Sequence, residues 1–528
     1  MLIYALSDGR KWVVRVPYDV LISGCGPVGA TLANLLRQQG YAVAIFDRDK
    51  DVFIAPRAMQ IDAESCRIFQ QLGIQSRLEG RDARPAYKHV FVDKNRKTLM
   101  ALDTHSIREI YGHAAAGMRF HQPALEHLLR ADFDNTEAGS KVDTYLGYEV
   151  LAVDGAGSAA TLTAKNIETE EVTEFSGRYL VGADGGNSLC RKYITDTRID
   201  MNYARRWIVM DVLVHDDALW NSLIDRSEFM CRPDAAVVFV KGCNNHVRFD
   251  FEVTDEVAET FTKNDAIALI SDYFDTSSIE FQRIAPYYFY AGMPDKWRKG
   301  RVFIAGDAAH LTSPFSGQGL NMGIRDAANL AFKFDLVFRG LAGDECLNSY
   351  QDERWPHCER TINGATARGL MISANDLRGR LKRALSFFIG RVSPGLALAM
   401  TVKMSDFTVY ENGLIGAHKL SGDRFIQPWV TAQDDVPMLL DDVAGDGFLL
   451  LTNGSDASQK EAWFDKKLGG KRLHIGTDIE DSKGYLTAYF DKHDISAILV
   501  RPDRYIFDAG DDAAALTAGL KDALAAYD

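Results

Sequence analysis

The sequence contains few cysteines, and none of them are closely spaced. Its 528 residues hold seven cysteines, at positions 25, 66, 190, 231, 243, 346 and 358, without a CxxC pair or a cluster of His and Cys ligands. This pattern excludes the common zinc-binding and dithiol redox motifs. We therefore expect no metal site, and free cysteines favour a reducing, cytoplasmic location.

The sequence also lacks a long uninterrupted apolar run and a run of basic residues. Arg391, Pro394 and Lys403 interrupt the most apolar stretch, Ala384 to Met404, which predicts a buried helix and no membrane span. The formal net charge is -13, which would repel nucleic acid and anionic lipid. Charged residues within the apolar part of residues 1–16 predict an N-terminal tail or a first strand and no signal peptide. We expect neither nucleic acid nor a membrane as a partner.

A strand, a glycine-rich turn and a helix are predicted near the N-terminus. The apolar run Val20–Ile22 precedes a GxGxxG turn, leucines at helical spacing follow, and a second apolar run ends at Asp47. Glycines let a backbone approach a pyrophosphate at a helix N-terminus, and an acidic residue about 20 positions later suits ribose hydroxyls. The pattern predicts a dinucleotide site made by Gly24, Gly26, Pro27, Val28, Gly29 and Asp47.

Two later segments repeat the design of a buried strand that ends in glycine and a carboxylate. Tyr179–Val181 is followed by Gly182-Ala183-Asp184-Gly185, and Val302–Ala305 is followed by Gly306-Asp307-Ala308-Ala309-His310. A glycine-rich stretch and a predicted helix come after the second segment, from Ser313 to Asn321. Each segment alone is compatible with a β-turn, whereas three in one chain favour a shared cofactor site.

Together these three segments resemble the class A flavoprotein aromatic hydroxylases. Ile61-Asp62-Ala63-Glu64, Cys231-x-Pro233, Phe425-Ile426-Gln427-Pro428 and Val500-Arg501-Pro502-Asp503-Arg504 are similar to segments of the 3-(3-hydroxyphenyl)propionate hydroxylase subgroup. The resemblance spans almost the whole chain. It implies an α/β fold with a Rossmann-like FAD-binding domain, an antiparallel β-sheet substrate domain and a C-terminal thioredoxin-like module.

The predicted domains follow from this resemblance. Residues 17–199, together with 300–360, are assigned to the FAD-binding domain, and residues 200–299 to the β-rich substrate domain. Residues 300–420 are assigned to a flavin-contacting segment and a helical region, and residues 425–528 to the thioredoxin-like module. That module contains no cysteine, so we expect a structural or assembly role for it, in a monomer or homodimer.

The resemblance also implies which residues bind the cofactor. Asp307 is expected at the flavin ribityl chain and Asp184 near both FAD and the nicotinamide, while Arg57 and Gln122 resemble residues that approach the cofactor. Arg57 as a surface ion pair and Gln122 as a helix cap are the alternatives. The further expected cofactor residues are Arg48, Gly306, Ala308, Pro314, Gly317, Gln318, Gly319, Leu320 and Asn321.

The activity implied by the resemblance is hydroxylation of a phenolic ring, in aromatic compound catabolism. NADH or NADPH reduces FAD, O2 forms a flavin C4a-hydroperoxide, and a ring carbon ortho or para to a phenolate receives the oxygen. Candidate catalytic residues are Tyr203, Arg248, Tyr288, His310 and Pro314, with Arg248 as a possible carboxylate ligand or a strand-face ion pair. Tyr287 to Tyr290 and Phe315 are expected to exclude water.

Two alternatives stay open at this stage. Another FAD-dependent chemistry on the same scaffold, that of a reductase, epoxidase or halogenase, is compatible with the motifs because fold does not determine chemistry. A flavin-binding interaction protein without enzymatic activity is the second alternative.

Overall fold

The computed structural model describes most of the chain, and its main parts are three sheets with their helices. The described residues are 2–5, 11–14, 18–103, 105, 110, 112, 117–134, 141–232, 236–271, 273, 275–373, 377–393, 409–432, 436–454 and 462–527. Among them, no helix combines the length and apolar character that crossing a membrane requires. All seven cysteines are buried and free.

The first sheet has eight strands, and its central strands are parallel. Six lie in the spatial order Val142–Leu146, Val43–Asp47, Tyr18–Ser23, Val172–Gly182, Ala160–Asn166 and Tyr148–Asp154, with Val302–Ile304 also beside Val172–Gly182 and Arg298–Lys299 beside Val302–Ile304. The pairings on both sides of Tyr18–Ser23 are parallel, as is the pairing of Val302–Ile304. The carboxyl ends of these strands therefore meet at one edge of the sheet.

Two long helices pack on the first sheet and on each other. Pro27–Gln38 follows the first central strand, and Gln318–Phe338 packs against it closely where Gly323 lies on Val28. The apolar side of Pro27–Gln38, which includes Leu32, Leu35 and Leu36, is buried in the largest hydrophobic core of the protein. The other helices of this part of the chain are Ala63–Gln71, Gln75–Leu78, Gln122–Ala131, Leu189–Ile194 and Ser349–Ile372, with short 3-10 helices at Asp132–Asp134, Gly306–Ala308, Pro314–Ser316 and Asp344–Asn348.

The second sheet has seven strands and extends beyond the segment predicted for it. Its spatial order is Ile279–Met293, Ile199–Val214, His246–Glu252, Ala236–Lys241, Ser227–Cys231, Lys88–Val92 and Thr98–Asp103. The predicted boundary at residue 200 was therefore wrong for the last two strands. Lys88–Val92 also pairs in parallel with Ser227–Cys231, so the sheet is not wholly antiparallel. Local sequence patterns do not reveal a partner strand more than a hundred residues away.

The two faces of the second sheet have different neighbours. One face, with Ile208, Met210 and Phe249, forms a separate core with residues of the helices Asp217–Ser222, Asp255–Thr260 and Lys263–Ile270. The other face, with Trp207 and Val238, belongs to the same core as the first sheet. The second face therefore looks towards the glycine-rich segments.

The predicted buried helix within Ala384–Met404 is only partly described, and the described part is largely exposed. The helix Leu377–Val392 exposes Leu381, Leu385 and Phe388, whereas Phe387 packs against Phe91 of the second sheet. Because Leu385, Phe388 and Val392 are each more than 60% exposed, the expectation of a buried helix was wrong for this part. Residues 394–408 lie outside the described residues.

The third sheet forms the C-terminal module. Its four strands lie in the order Lys471–His474, Leu449–Thr452, Ala497–Val500 and Ile506–Gly510. The first two in this order are parallel, and the remaining neighbours are antiparallel. Its helices are Leu440–Ala444, Tyr485–His493, Ala513–Ala525 and the π-helix Trp463–Leu468.

Four further pairings complete the strands of the described chain. Leu2–Ala5 pairs with Lys11–Val14, within the segment predicted as a tail. Trp429–Thr431 pairs with Pro437–Leu439. Met118–Phe120 lies between Gln60–Ile61 and Ala83–Pro85, and this small sheet borders the glycine-rich region. A 3-10 helix, Thr276–Ser278, precedes the longest strand pair.

Candidate functional site

Backbone hydrogen bonds hold the ends of the parallel strands together. Gly24 N donates to Phe46 O at 2.7 Å, Ala183 N to Ser23 O at 2.8 Å, and Ala305 N to Gly182 O at 3.0 Å. The three motif segments predicted from the sequence therefore converge at one edge of the first sheet. In open parallel sheets, this edge is where ligands bind.

Gly24 lies where no other residue fits. Its φ is +105°, and a Cβ at this position would clash with the backbone carbonyl of Ala183. A side chain is excluded here by both the backbone conformation and the neighbouring strand. The turn then enters the helix Pro27–Gln38, whose N-cap Gly26 makes no side-chain cap. The first amides of this helix therefore point towards an open site that attracts negative charge.

A second uncapped helix N-terminus lies at Gly317. Gly317 has φ +60° in the left-handed region and forms the N-cap of the helix Gln318–Phe338 without a side-chain cap. Asn321 Nδ2 donates to Gly317 O at 2.6 Å, and Asn321 Oδ1 accepts from Ser65 Oγ at 2.7 Å. Asn321 thus anchors the turn, while the amides of Gln318, Gly319 and Leu320 have no partner within the helix.

Three carboxylates surround this edge of the sheet. Asp47 Oδ2 accepts from Cys25 N at 2.7 Å and so holds the glycine-rich turn. Asp184 Oδ2 accepts from Leu189 N at 2.8 Å, and its buried Oδ1 has no partner in the described chain. Asp307 is exposed, although the surrounding protein displaces enough water to raise the pKa of its carboxyl. This combination is typical of a side chain in the wall of a cavity.

The segment Pro56–Ala58 bridges the first and second sheets. Gln122 Oε1 accepts from the amides of Arg57 at 2.9 Å and Ala58 at 2.7 Å. On the other side, Arg248 donates to the carbonyl oxygens of Arg57, at 2.7 Å, and Pro56. The guanidinium of Arg57 is close enough to lower the pKa of Asp307, against the stronger effect of burial. Arg57 thus lies close to both Gln122 and Asp307, as the prediction of a shared cofactor site requires.

Aromatic side chains close the space between the second sheet and the Gly317 turn. The ring of Phe315 lies 5.1 Å from that of Trp207 and 6.0 Å from that of Tyr203. Phe315, Trp207 and Tyr203 are all buried. The Tyr203 hydroxyl and the Trp207 indole nitrogen have no hydrogen-bond partner among the described residues. Polar groups of this kind are available to a ligand.

The candidate catalytic residues occupy different environments. Pro314 is half-buried in the short helix beside Phe315. Arg248 donates through Nε to Asp211 at 2.9 Å and through its other nitrogens to Arg57 and Pro56, so all its groups are engaged within the protein. The structure therefore favours an internal ion pair for Arg248 over a substrate carboxylate ligand.

Two of these residues cannot contact a substrate in this site. His310 is buried, and its Nε2 bonds to Asp326 at 2.7 Å below the Gly306 turn. Tyr288 is 49% exposed, and its hydroxyl donates to Asp255 on the far face of the second sheet. Tyr287 is also about half exposed, so the expected water exclusion rests on Phe315 and Phe289. Strand alternation explains this, because Tyr288 lies opposite Arg206, on the other face from Trp207.

The remaining predicted cofactor residues lie along the same edge, with one exception at its margin. Gly306 and Ala308 are buried beneath the turn that carries Asp307, and Gln318 accepts from Arg325 at 3.1 Å. The side chain of Arg48 is 74% exposed, and its nearest ionic partner is Asp49 at 3.9 Å. Arg48 stays a predicted contact.

Sequence reasoning missed four charged residues that line the region. Arg130 donates to Cys25 O at 3.2 Å, and Glu126 accepts from Gln122 Nε2 at 2.8 Å. Their spacing of four on one helix, starting from Gln122, was a usable signal. Arg368 reaches Phe315 O at 3.5 Å, and Asp250 lies on the same face of the second sheet as Trp207. No local pattern distinguishes these two residues from surface charges.

The site fits FAD on the observations above. Two uncapped helix N-termini suit the diphosphate and an anionic ring, while Gly24 leaves space for close approach. The unpartnered Asp184 oxygen and the exposed Asp307 carboxylate offer acceptors for hydroxyl groups. Three His, Asp and Cys side chains, His310, Asp326 and Cys358, also cluster, but Arg354 donates to Asp326 at 2.8 Å, which makes the cluster unsuitable for a cation.

Known protein families and relatives match nearly the whole chain. The family described as FAD binding domain matches residues 17–365, and the one described as HcaD C-terminal domain matches residues 422–524. A probable NADH-specific resorcinol 4-hydroxylase of Rhodococcus jostii is 30% identical, over 98% of this chain and 96% of its own. A 3-(3-hydroxy-phenyl)propionate/3-hydroxycinnamic acid hydroxylase of Mycolicibacterium smegmatis is 31% identical, over 96% of this chain and 92% of its own.

Solved structures share the fold at lower identity. Aklavinone-11 hydroxylase in complex with FAD and aklavinone superposes with a TM-score of 0.76 at 21% identity, covering 96% of this chain and 99% of that one. The substrate-free rebeccamycin biosynthetic enzyme gives a TM-score of 0.76 at 20% identity, covering 96% and 100%. The predicted mixed α/β fold is confirmed.

Proposed function

Because this chain belongs to the family of FAD-dependent aromatic hydroxylases, we propose that it hydroxylates a phenol with a second substituent in the meta position, using NADH. The chain is a monooxygenase that uses FAD, a reduced nicotinamide and O2 to add oxygen to a phenolic ring. The observation that carries the proposal is the convergence of three glycine-rich strand ends with two uncapped helix N-termini.

We assign the cofactor contacts to residues at this edge of the first sheet. The amides after Gly26 would hold the diphosphate, and Asp47 and Asp307 would accept from sugar and ribityl hydroxyls. Amides at the start of the helix Gln318–Phe338 would stabilise negative charge on the reduced ring. When bound, FAD supplies the redox chemistry that joins NADH oxidation to the activation of O2.

The substrate is assigned to the space between the second sheet and the Gly317 turn. Phe315 and Trp207 exclude water there, which limits the loss of activated oxygen through side reactions with solvent. Pro314 borders this space, and the Tyr203 hydroxyl is free to donate to a substrate oxygen. Burial raises the pKa of Tyr203 well above its ordinary value, so this hydroxyl donates and does not act as a base near neutral pH.

The substrate class comes from the relatives. Resorcinol and 3-(3-hydroxyphenyl)propionate, after which two relatives are named, are both meta-substituted phenols. One relative is described as NADH-specific, which supports NADH over NADPH as the donor. The two candidates differ in charge, because only the second carries a carboxylate.

The experiment that tests this function uses the purified protein with its flavin. NADH and NADPH oxidation are followed with resorcinol, 3-(3-hydroxyphenyl)propionate and their ortho and para isomers, and products are identified by mass. We expect faster NADH oxidation and a product with one added oxygen atom from a meta-substituted phenol alone. NADH oxidation without a hydroxylated product from any phenol would contradict the proposal and favour a reductase.

We also propose a thioredoxin-like fold for the C-terminal module. Its strands, numbered along the chain, have the spatial order second, first, third and fourth, with helices between and after them, which supports this topology. A cytoplasmic monomer or homodimer remains our expectation, supported by seven free, buried cysteines.

A further inference from the structure

Asp250 is the single charged residue in an apolar row across the second sheet. The strand pairings place Asp250 between Val209 and Val238. Beyond these neighbours, the same row consists of Ala285 on one side and Phe229, Phe91 and Met100 on the other. A carboxylate in such a row loses hydration without gaining a partner from its neighbours.

The rows on either side show where Asp250 faces. In the next row on the same face, Arg248 donates to the backbone carbonyls of Pro56 and Arg57, which bridge the two sheets. In the row on the opposite side of Asp250, Trp207 pairs with Glu252 and contacts Phe315 beside the Gly317 turn. Directly opposite residues lie on the same face of a sheet, so Asp250 faces the gap between these two contacts. This gap is the substrate space assigned above.

Asp250 differs from the other acidic groups of this face. Asp211 accepts from Arg248 at 2.9 Å and from Arg283 at 2.7 Å, and Glu252 lies 3.7 Å from Arg205. Asp250 is only 6% exposed, and its Oδ1 has no hydrogen-bond partner in the described chain. A buried acceptor without a partner is a group that a bound ligand can satisfy.

The charges around Asp250 keep its carboxyl titratable near neutral pH. Burial raises the pKa of Asp250 to about 6, with Arg248 and Arg283 opposing and Asp211 adding to this shift. An ionised carboxylate is therefore present above this pH and can receive a proton. A base with a pKa close to the working pH is also the effective kind in proton transfer.

We propose that Asp250 is a catalytic residue of this hydroxylase, whose carboxylate accepts the proton of the phenolic hydroxyl and so activates the ring. The inference rests on the proposed function and names the base for it. Asp250 is favoured over Tyr203, which keeps its proton, and over His310, which is paired with Asp326.

The proton and the electrons balance in this scheme. The phenolic O–H bond breaks, its proton passes to Asp250, and its electron pair stays on the substrate oxygen. The ring carbon ortho or para to that oxygen gains one oxygen atom of O2 as a hydroxyl group, and the other oxygen atom leaves as water. NADH supplies two electrons and one hydrogen, and protons from solvent complete the hydroxyl group and the water. The ring then releases its C–H proton, and the proton on Asp250 returns to the substrate oxygen.

The test compares Asp250→Asn with Asp250→Glu and, as a control on the exposed helix Asp255–Thr260, Glu259→Gln in the flavin-loaded protein. We expect Asp250→Asn to lower kcat by roughly a hundredfold or more while flavin binding is kept. The fall of wild-type kcat/KM below about pH 6 should disappear in this variant. Asp250→Glu should restore part of kcat, and Glu259→Gln should match the wild type. Wild-type kcat and an unchanged acid limb in Asp250→Asn would overturn the inference.

Thermal unfolding and ligand titration separate this inference from its premises. Asp250→Asn should unfold at the same or a higher temperature at pH 7.5, because it removes a charge that burial disfavours. If the wild type hydroxylates no phenol, the proposed function fails. In that case, titration of the flavin absorbance with resorcinol decides the role of Asp250. A resorcinol Kd at least tenfold higher in Asp250→Asn supports contact with the hydroxyl, and an unchanged Kd overturns it.

Discussion

Arg368 borders the substrate space without an acidic partner. Its nearest described polar contact is a long one, 3.5 Å from Nη1 to Phe315 O, and no carboxylate of the described chain lies within ion-pair distance. Burial lowers the pKa of its guanidinium, which nevertheless stays charged near neutral pH. A half-buried cation of this kind suits an anionic ligand. We therefore expect Arg368 to distinguish the two proposed substrates.

Replacing Arg368 with Gln should separate the two substrates kinetically. We expect the KM for 3-(3-hydroxyphenyl)propionate to rise about tenfold, which corresponds to about 1.4 kcal/mol, because a charge-assisted contact is lost. The KM for resorcinol, which has no carboxylate, should stay unchanged. Steady-state kinetics with both phenols checks this, with Arg378→Gln on the exposed part of the next helix as the control. An equal rise for both substrates would contradict a carboxylate contact.

His310 makes stability depend on pH through its pair with Asp326. Although burial disfavours the imidazolium, Cys358 and Asp326 raise the pKa of His310 to about 10. Because this value lies above that of an unfolded histidine, the stabilisation is full below about pH 6.5 and is lost as pH rises through about 10. We expect the melting temperature of the wild type to fall between pH 7 and 10, and that of His310→Asn to be lower at pH 7 but flatter. If the melting temperatures of the wild type and of His310→Asn, measured by differential scanning fluorimetry, changed with pH in parallel, a charged His310 would be contradicted.

At the scale of the element, the start of the helix Gln318–Phe338 connects backbone conformation with cofactor binding. Gly317 and Gly340 flank this helix, and both have left-handed φ, at +60° and +64°. They differ in place, because only Gly317 precedes the amides assigned to the flavin ring. The same backbone conformation at both ends of the helix makes Gly317→Ala and Gly340→Ala a matched pair of variants.

Gly317→Ala should weaken flavin binding, and Gly340→Ala should not. Both substitutions place a Cβ in the left-handed region and should lower the free energy of unfolding by about 1 kcal/mol. Only the first shifts the helix amides, so we expect its flavin Kd to rise roughly tenfold. Flavin fluorescence titration measures the Kd, and urea denaturation measures the stability. Equal flavin affinities for the two variants would contradict the assignment of these amides to the cofactor site.

Elements formed by neighbouring residues were predictable, and elements formed by distant ones were not. The strand, turn and helix around Gly24 follow from glycine and leucine spacing within about thirty residues. No local pattern indicates that Lys88–Val92 joins the second sheet, because its partner Ser227–Cys231 is more than a hundred residues away. Asp250 was missed for a related reason. Its alternation in a strand is equally typical of a surface residue, and only the pairing of the seven strands reveals its apolar row.

At the scale of the whole molecule, buried ion pairs attach the C-terminal module to the first domain. Arg501 donates to Glu353 at 2.8 and 3.0 Å and to Asp503, and Lys333 lies 2.8 Å from Glu353. Glu353 and Lys333 belong to the two long helices that follow the Gly317 turn. Despite burial, Arg501 and Lys333 lower the pKa of Glu353 to about 2. The module therefore supports the helices behind the cofactor site.

Arg501→Met should destabilise the whole protein. Removing one partner leaves the buried Glu353 charge undercompensated, which costs about 3 to 5 kcal/mol. The double variant Glu353→Gln, Arg501→Met should lose less free energy of unfolding than the two single variants lose together. Guanidinium chloride denaturation measures these free energies, and the exposed Lys471→Met should change stability by less than about 0.5 kcal/mol. Additive losses would show that the two residues do not interact.

The burial of all seven cysteines has a consequence for an enzyme that handles oxygen. Whenever O2 is reduced without a phenol to receive it, peroxide is released beside the protein that made it. Thiolates are the groups that peroxide oxidises first, and burial raises the pKa of Cys25, Cys66 and Cys190 in the domain closest to that release. The fold thus keeps its own oxidisable sulfur in the thiol form and out of reach, which protects the enzyme against its own side product.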